Sequence, residues 1–492
     1  MTSQAAGQKP RTDAMNHLSA DRLSTDLCVI GAGAAGLSVA SSAALLGVPV
    51  VLVERGAMGG DCLNAGCVPS KALIAAAKAA QAGRNAAGFG VRFRAPVIDR
   101  AGVTSHIRQV IEAIRPMDSP ERYRALGVNV IAGEARFVDG RTVEVNGTAI
   151  TARRFIIATG AAPAIPTIPG LADVPFLTNE SIFALEETPK RLAILGGGPI
   201  GIELAQAHRR LGSDVTIIER DRILSREDPE AANLLRRLLE QEGIRLLEGA
   251  RVERVGAVSS GVTLDLSGEG VPKLLNCSHL LVAAGRTPRL DGLGLAAAGV
   301  ASDARGIIVD KGLKTANRRI YAIGDCIGGP QFTHVAGYQA GLVVKNALFR
   351  LPVRVDYHLT PRVTYCDPEI AGIGLSEDQA RAAHKGVQTL RWPLSENDRA
   401  RAERTPEGFV KALVDGKGRI LGVTIVGPHA GDLVVPWVLA MRQGLKIGAM
   451  VDLVLPYPTL SEASRRAAVQ SLVPKLRSPW VGRILRFLRK LG

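Results

Sequence analysis

The sequence predicts an α/β protein of several domains: two copies of a Rossmann-like, dinucleotide-binding strand–turn–helix–strand unit and a C-terminal α+β domain. Three observations predict this. A segment of the chain recurs at a fixed offset of 165 residues. Each copy carries a G-x-G-x-x-G turn directly after an apolar run. From about residue 353 the pattern changes to strand-like runs alternating with short helices. At 492 residues the chain also exceeds what one hydrophobic core usually serves.

In chain order, residues 1–24 read as a flexible N-terminal tail, without the apolar stretch of a signal peptide. Residues 27–53 carry no charge, but their glycines and proline resolve them into strand, turn, small-residue helix and strand, not a membrane span. The repeat pairs "LCVIGAGAAGLSVASSAALLGVPVVLVER" (27–55) with "LAILGGGPIGIELAQAHRRLGSDVTIIER" (192–220). Gly31, Gly33 and Gly36 map onto Gly196, Gly198 and Gly201, and Glu54 maps onto Glu219. The first glycine of such a turn permits the tight bend, the second lets a pyrophosphate approach the backbone, and the third lets helix and strand pack closely. The helix N-terminus then offers unpaired N–H groups to the anion. Each glutamate, 23 residues after the first glycine, is placed to accept hydrogen bonds from an adenosine ribose. Two dinucleotide sites in one chain imply electron transfer between them.

Between the repeats stands "GGDCLNAGCVPSKAL" (59–73), which sets Cys62 and Cys67 five apart. The spacing is neither a C-x-x-C loop nor a zinc knuckle. Cys67 falls near a helix start, where the dipole and open N–H groups favour a thiolate. Lys71 follows four residues on, along the same helical face. With a nucleotide site adjoining, the pair reads as a working redox disulfide. Six cysteines in the whole chain do not make a secreted disulfide framework, so a reducing, cytoplasmic setting is expected. Cys277, Cys326 and Cys366 read as packed small side chains, and no structural metal site is predicted.

Further on, "RRFIIATGAAPAIPTIPG" (153–170) predicts a strand ending at Thr159-Gly160 and a domain border. "HLLVAAGRTP" (279–288) predicts a second strand with a similar exit. "RRIYAIGDC" (318–326) predicts a strand that stops at Gly324-Asp325, and a helix follows through His334. The formal net charge of +15 attracts anionic surfaces in general, but no zinc-finger spacing or aromatic–basic strand pattern accompanies it, and nucleic-acid binding is not predicted.

Taken together, "GGDCLNAGCVPSK", the paired fingerprints, "ATG", "GRTP" and "AIGD" resemble the class I pyridine nucleotide-disulfide oxidoreductases, the flavin disulfide reductases, over about residues 25–475. The resemblance implies an FAD-binding domain (25–160 and a return segment, 286–352), an NAD(P)-binding domain (161–285) and a dimerisation domain (353–475). It implies a homodimer with active sites shared between subunits. It makes Cys62 the interchange thiol, Cys67 the thiol in charge transfer with flavin, and pairs Lys71 with Glu203. FAD contacts are implied for Gly60, Lys71, Thr159, Gly160, Asp325 and His334, together with Gly285 and Gly324 in their motifs. Glu219 favours NADH by repelling a 2′-phosphate, while Arg220 and Arg222 leave NADPH open.

One segment departs from the dithiol and disulfide reductases of this family. In "LPYPTLSEAS" (455–464) Tyr457 stands where they place a histidine, oriented by the acid matched here by Glu462. A phenol near pKa 10 shuttles protons poorly at neutral pH. Mercuric reductases resemble the chain at this point, and thiolates suit a soft cation. The expected function is therefore reduction of a soft metal ion such as Hg(II), with Cys62 and Cys67 as ligands to that substrate. The alternative is a dihydrolipoyl dehydrogenase or other small-disulfide reductase, favoured by the lack of any cysteine after Cys366 for relaying metal. Soluble transhydrogenases fit less well, because the cysteine pair would be superfluous. A non-catalytic FAD-binding redox sensor and a membrane-associated binding protein are the readings of another class. The chain closes on a basic amphipathic segment (476–492), which reads first as a frayed or packed C-terminal helix of a solvated protein, with peripheral contact with an anionic membrane as the alternative.

Overall fold

The computed structural model describes residues 22–491 and divides them into two compact units, one of which is built around the first copy of the repeat. That unit comprises the chain to Asn64, Ala113–Ala162 and Thr287–Val355. Its sheet has seven strands. Asn129–Ala132, Val50–Glu54, Arg22–Ile30, Thr148–Ile157 and Ile320–Ala322 are parallel neighbours in that order. Thr142–Val145 and Arg136–Phe137 continue it antiparallel beside Thr148–Ile157. Val50–Val53, with Leu27, Cys28 and Val29, is apolar without alternation because both faces of the sheet are covered. Helices Ala34–Leu45 and Thr333–Phe349 pack on each other over one face through Leu37, Ala40, Ala336 and Val343. The small residues of Ala34–Leu45 allow that close approach.

The first strand corrects the boundary of the expected tail. It starts at Arg22, not after residue 24, because Leu23 pairs with Ile150 and is buried among apolar side chains while its polar neighbours face outward. Residues 1–21 of the tail lie outside the described residues.

The second unit comprises Ala65–Glu112, Pro163–Arg286 and the chain from Asp356. Residues 65–112, read from the sequence as part of the first domain, therefore pack elsewhere. The cause is the apolar face of helix Cys67–Asn85: Leu73, Ile74 and Ala77 bury in one core with Ile202, Leu204 and Ala205. Full burial of Leu73 alone stabilises this arrangement by roughly 2 kcal/mol. The second repeat forms a parallel sheet in the order Arg245–Glu248, Asp214–Glu219, Arg191–Leu195, His279–Val282, with helix Pro199–Arg210 after its glycine turn. A three-stranded antiparallel sheet (Arg251–Val258, Gly261–Ser267, Leu274–Cys277) follows it. The later part of the unit is a five-stranded antiparallel sheet, in the order Arg362–Thr364, Glu369–Gly374, Ile420–Gly427, Phe409–Val414, Gln388–Pro393. Trp437 and the helix Glu462–Val469 share the apolar core of that sheet.

Candidate active site

In the first unit Gly31 has φ +103°, and a Cβ there would sit 2.4 Å from the Ala158 carbonyl oxygen. Only glycine tolerates both constraints. Gly33 N-caps helix Ala34–Leu45 with no side-chain cap, and a Cβ on it would meet nothing nearer than the Gly60 Cα at 3.8 Å. Gly60 itself holds φ +59° beside Gly33. An open, uncapped helix start fits a pyrophosphate. Glu54 braces the turn: Oε2 accepts from Ala32 N at 2.6 Å and Oε1 from Gly56 N at 2.7 Å. Thr159 donates its hydroxyl to the Arg289 carbonyl at 2.8 Å, with Gly160 next to it at φ +70°. Gly324 N donates to the buried Gln339 amide oxygen at 2.6 Å, fixing the turn that carries Asp325. His334 stacks on Phe332 at a centroid distance of 5.1 Å.

The second unit repeats this construction. Gly196 has φ +119°, and its added Cβ would lie 2.4 Å from the Ala283 oxygen, whereas nothing stands within 4 Å of one on Gly198. A Cβ on Gly201 would lie 2.0 Å from the Gly196 oxygen, so the helix start is held against the turn. Glu219 accepts from Gly197 N at 2.7 Å and from Asp221 N at 3.0 Å. Arg220, largely exposed, pairs with Asp221 at 3.6 Å. Gly285 accepts from Ala164 N at 2.9 Å.

Cys62 lies half-buried in the short helix Gly60–Asn64 of the first unit. Cys67, exposed, is the first residue of its helix, and Gly66 before it provides no side-chain cap. One turn on, Lys71 Nζ donates to Glu203 Oε2 at 2.8 Å. Glu203 is 7% exposed on helix Pro199–Arg210 and accepts through Oε1 from Tyr365 N at 2.9 Å. Lys71 Nζ also lies 4.3 Å from the centre of the Tyr365 ring. Burial raises the Tyr365 pKa, Lys71 opposes the rise, and Glu369, Glu203 and Cys67 add to it. Tyr365 thus belongs to the surroundings of Lys71 and Cys67, and the sequence reading did not include it.

Tyr457 is 68% exposed and donates its hydroxyl to Asp398 Oδ2 at 2.6 Å. That hydrogen bond, with the Asp398 charge, pushes its pKa above the usual phenol value. Asp398 is thus the hydrogen-bond partner of Tyr457, and the Glu462 charge adds to the same rise. Glu462 opens the helix Glu462–Val469, 3.9 Å from Arg466. Asp398 follows Asn397, which caps its own short helix, and this turn aims the carboxylate outward. Cys28, Cys277, Cys326 and Cys366 are all buried, which lifts the Cys28 thiol to about 12 and those of Cys277 and Cys326 to about 11. Among the described residues no group of three or more His, Cys, Asp or Glu side chains is arranged to hold a metal ion.

Two glycine cradles on parallel sheets, each with its bracing glutamate, and a cysteine pair following the first of them define a two-nucleotide oxidoreductase. The chain belongs to the pyridine nucleotide-disulphide oxidoreductase family, whose model matches residues 25–340, with the family's dimerisation domain matched at 360–468. Members characteristically bind FAD and NAD(P)H, and the dimerisation domain supports homodimer formation. A mercuric reductase from Bacillus cereus is 38% identical over 447 residues, 90% of this chain and 71% of that protein. A dihydrolipoyl dehydrogenase from Thermus scotoductus is 37% identical over 462 residues, 90% of this chain and 96% of that one. Among solved structures, the HOCl-induced flavoprotein disulfide reductase RclA from Escherichia coli, in its Cu(II) complex, is 29% identical with a TM-score of 0.81, covering 89% of this chain and 98% of that one. The chain is accordingly an FAD- and NAD(P)H-linked oxidoreductase of this family.

Proposed function

We propose that the protein reduces a small disulfide at the expense of NADH, through a redox pair formed by Cys62 and Cys67. The observation that carries this is the Lys71–Glu203 ion pair, held by the Tyr365 backbone one helical turn from Cys67. The glycine turn at Gly31–Gly36 would hold the FAD pyrophosphate, and that at Gly196–Gly201 the nicotinamide dinucleotide. Bound flavin supplies the two-electron relay between nicotinamide and the cysteines. The overall balance is NADH + H⁺ + RSSR → NAD⁺ + 2 RSH. Cys62 thiolate attacks one substrate sulfur, the substrate S–S bond breaks, and the first thiol leaves. Cys67 then attacks Cys62 and releases the second, re-forming the intramolecular disulfide.

Tyr457 bears on the proton transfers of this chemistry. Oxidising a dithiol requires a base, and a phenol raised further by Asp398 is a poor one at pH 7. Reducing a disulfide ejects thiolates of pKa about 8.5, which take protons from water without help. Tyr457 thus counts against a dihydrolipoyl dehydrogenase working in the oxidising direction, while the likeness to RclA favours a small-disulfide reductase over the Hg(II) reductase expected first. RclA is described as a flavoprotein disulfide reductase, which supports this reading. We propose an FAD-binding domain built on the first glycine turn, an NAD(P)-binding domain built on the second and a dimerisation domain from residue 353, with Tyr457 and Glu462 of one subunit completing the active site of its partner.

A second reading, soft-metal reduction by the same thiols, is favoured by the mercuric reductase relatives and by the Cu(II) complex of RclA. One anaerobic panel separates them, following NADH consumption with lipoamide, glutathione disulfide and thiol-buffered Hg(II). Disulfide turnover abolished by Cys62→Ser supports the reductase. Hg(II) turnover with inert disulfides overturns it in favour of the metal.

A further inference from the structure

The dimerisation-domain match ends at residue 468, and the helix Pro479–Leu488 beyond it buries none of its residues. Its start is encoded locally: Ser478 Oγ accepts from Trp480 N at 3.3 Å, and Pro479 occupies the first turn. Arg486 in its last turn, with Arg489 and Lys490 just beyond, suits the dipole there.

Advancing about 100° per residue separates the side chains without exception. Trp480, Val481, Ile484, Leu485, Phe487 and Leu488 fall within an arc of roughly 160°, and Arg483 and Arg486 fill the opposite side. The sequence continues the pattern past the helix end with Arg489, Lys490 and Leu491. Trp480 and Phe487 are 65% and 63% exposed. The Arg483 guanidinium reaches over the Trp480 ring at 5.8 Å, at the border between the two faces. No acidic residue follows Glu462, whereas eight lysines and arginines do.

We propose that this helix docks the protein, lying flat, on an anionic lipid bilayer. At ten residues it is about 15 Å long, half the thickness of a bilayer's hydrocarbon core, and among the described residues no helix is long and apolar enough to cross. An apolar arc less than half the circumference wide sinks to the headgroup boundary, while arginines on long aliphatic stems keep their charge among lipid phosphates. A protein groove would have to match six apolar side chains of the helix and offer acids to its two arginines and to Arg489 and Lys490 just beyond. A planar anionic surface supplies both conditions at once.

The test is co-sedimentation of the FAD-loaded full chain with vesicles of phosphatidylcholine alone, or with about one third phosphatidylglycerol. Binding is expected only to the anionic vesicles, with a loss of about ten-fold or more in chains stopped after Ser478 or carrying Leu488→Glu, and in about 0.5 M salt. Trp480 emission should shift to shorter wavelength on binding, and NADH-driven flavin reduction in solution should be the same in all three proteins. Equal sedimentation of the intact and stopped chains overturns the proposal. So does a dimer that dissociates when the helix is removed, which would show that the apolar face packs on a second copy.

Discussion

Tyr457 and Asp398 are joined by a 2.6 Å hydrogen bond at the protein surface, and that bond keeps the phenol protonated. Dithiol oxidation by the wild type should therefore be slow at pH 7 and rise steadily toward pH 10. Tyr457→His should move the rising limb to near pH 6.5 and raise dihydrolipoamide oxidation at pH 7 by about a hundred-fold, the usual scale of a restored general base. Asp398→Asn should lower the limb without the gain in maximal rate. Profiles of kcat/KM against pH for the three proteins measure this. A wild type already fast at pH 7 would show that another group takes the proton.

How much of this site could be read beforehand depends on distance along the chain. The 165-residue repeat revealed both glycine turns, and the structure extends it to hydrogen bonds: Ala32 donates to Glu54 as Gly197 donates to Glu219. Local spacing carries such contacts, because turn, helix and strand are consecutive. Tyr365 meets Glu203 across 162 residues, and Asp398 meets Tyr457 across 59, with no periodicity linking either pair. Leu23 escaped for a different reason. Its polar neighbours hide the single inward side chain of a strand end.

Glu219 has two tasks that substitution can separate. Its carboxylate braces Gly197 N, and we propose that its charge opposes a 2′-phosphate. Glu219→Gln keeps the acceptor and removes the charge, so the NADH-over-NADPH ratio of kcat/KM should fall about ten-fold, the worth of one charged contact. Glu219→Ala should in addition weaken both nucleotides by loosening the turn. An unchanged ratio in Glu219→Gln would assign the choice to Arg220 or Arg222.

The Lys71–Glu203 pair predicts a split between stability and rate. Glu203→Gln leaves Lys71 without its counter-charge, but the Lys71 side chain is 39% exposed and water compensates, so the loss should be only about 1–2 kcal/mol. Flavin reduction by NADH should slow more than that figure implies, because the ammonium no longer holds one position. Tyr365→Leu should cost less in both, since it keeps the backbone donor to Glu203 and loses only the ring contact, worth about 0.5–1 kcal/mol. Urea unfolding and stopped-flow bleaching of the flavin give the two quantities. Equal losses from both variants would mean that the ion pair has no separate role.

The final prediction concerns acid stability. His208 is buried on helix Pro199–Arg210, and neither ring nitrogen has a partner among the described residues. Desolvation, then the Arg100 and His279 charges, lower its pKa to about 3. Arg100 is buried as well, with one donated bond to the Ile182 carbonyl at 3.4 Å. Unfolded chains protonate this histidine below about pH 6.5, whereas the folded protein keeps it neutral down to about 3. In that window the unfolded state binds the extra proton, so stability is full above pH 6.5 and declines as the pH falls toward 3. The slope from one such group approaches about 1.4 kcal/mol per pH unit. Urea unfolding between pH 7.5 and 4.5 should show this decline in the wild type. His208→Leu should flatten it by about 1 kcal/mol per unit, whatever the variant's absolute stability. Parallel slopes in the two proteins would remove His208 as the source and leave His279, whose pKa burial also lowers, as the next group to test.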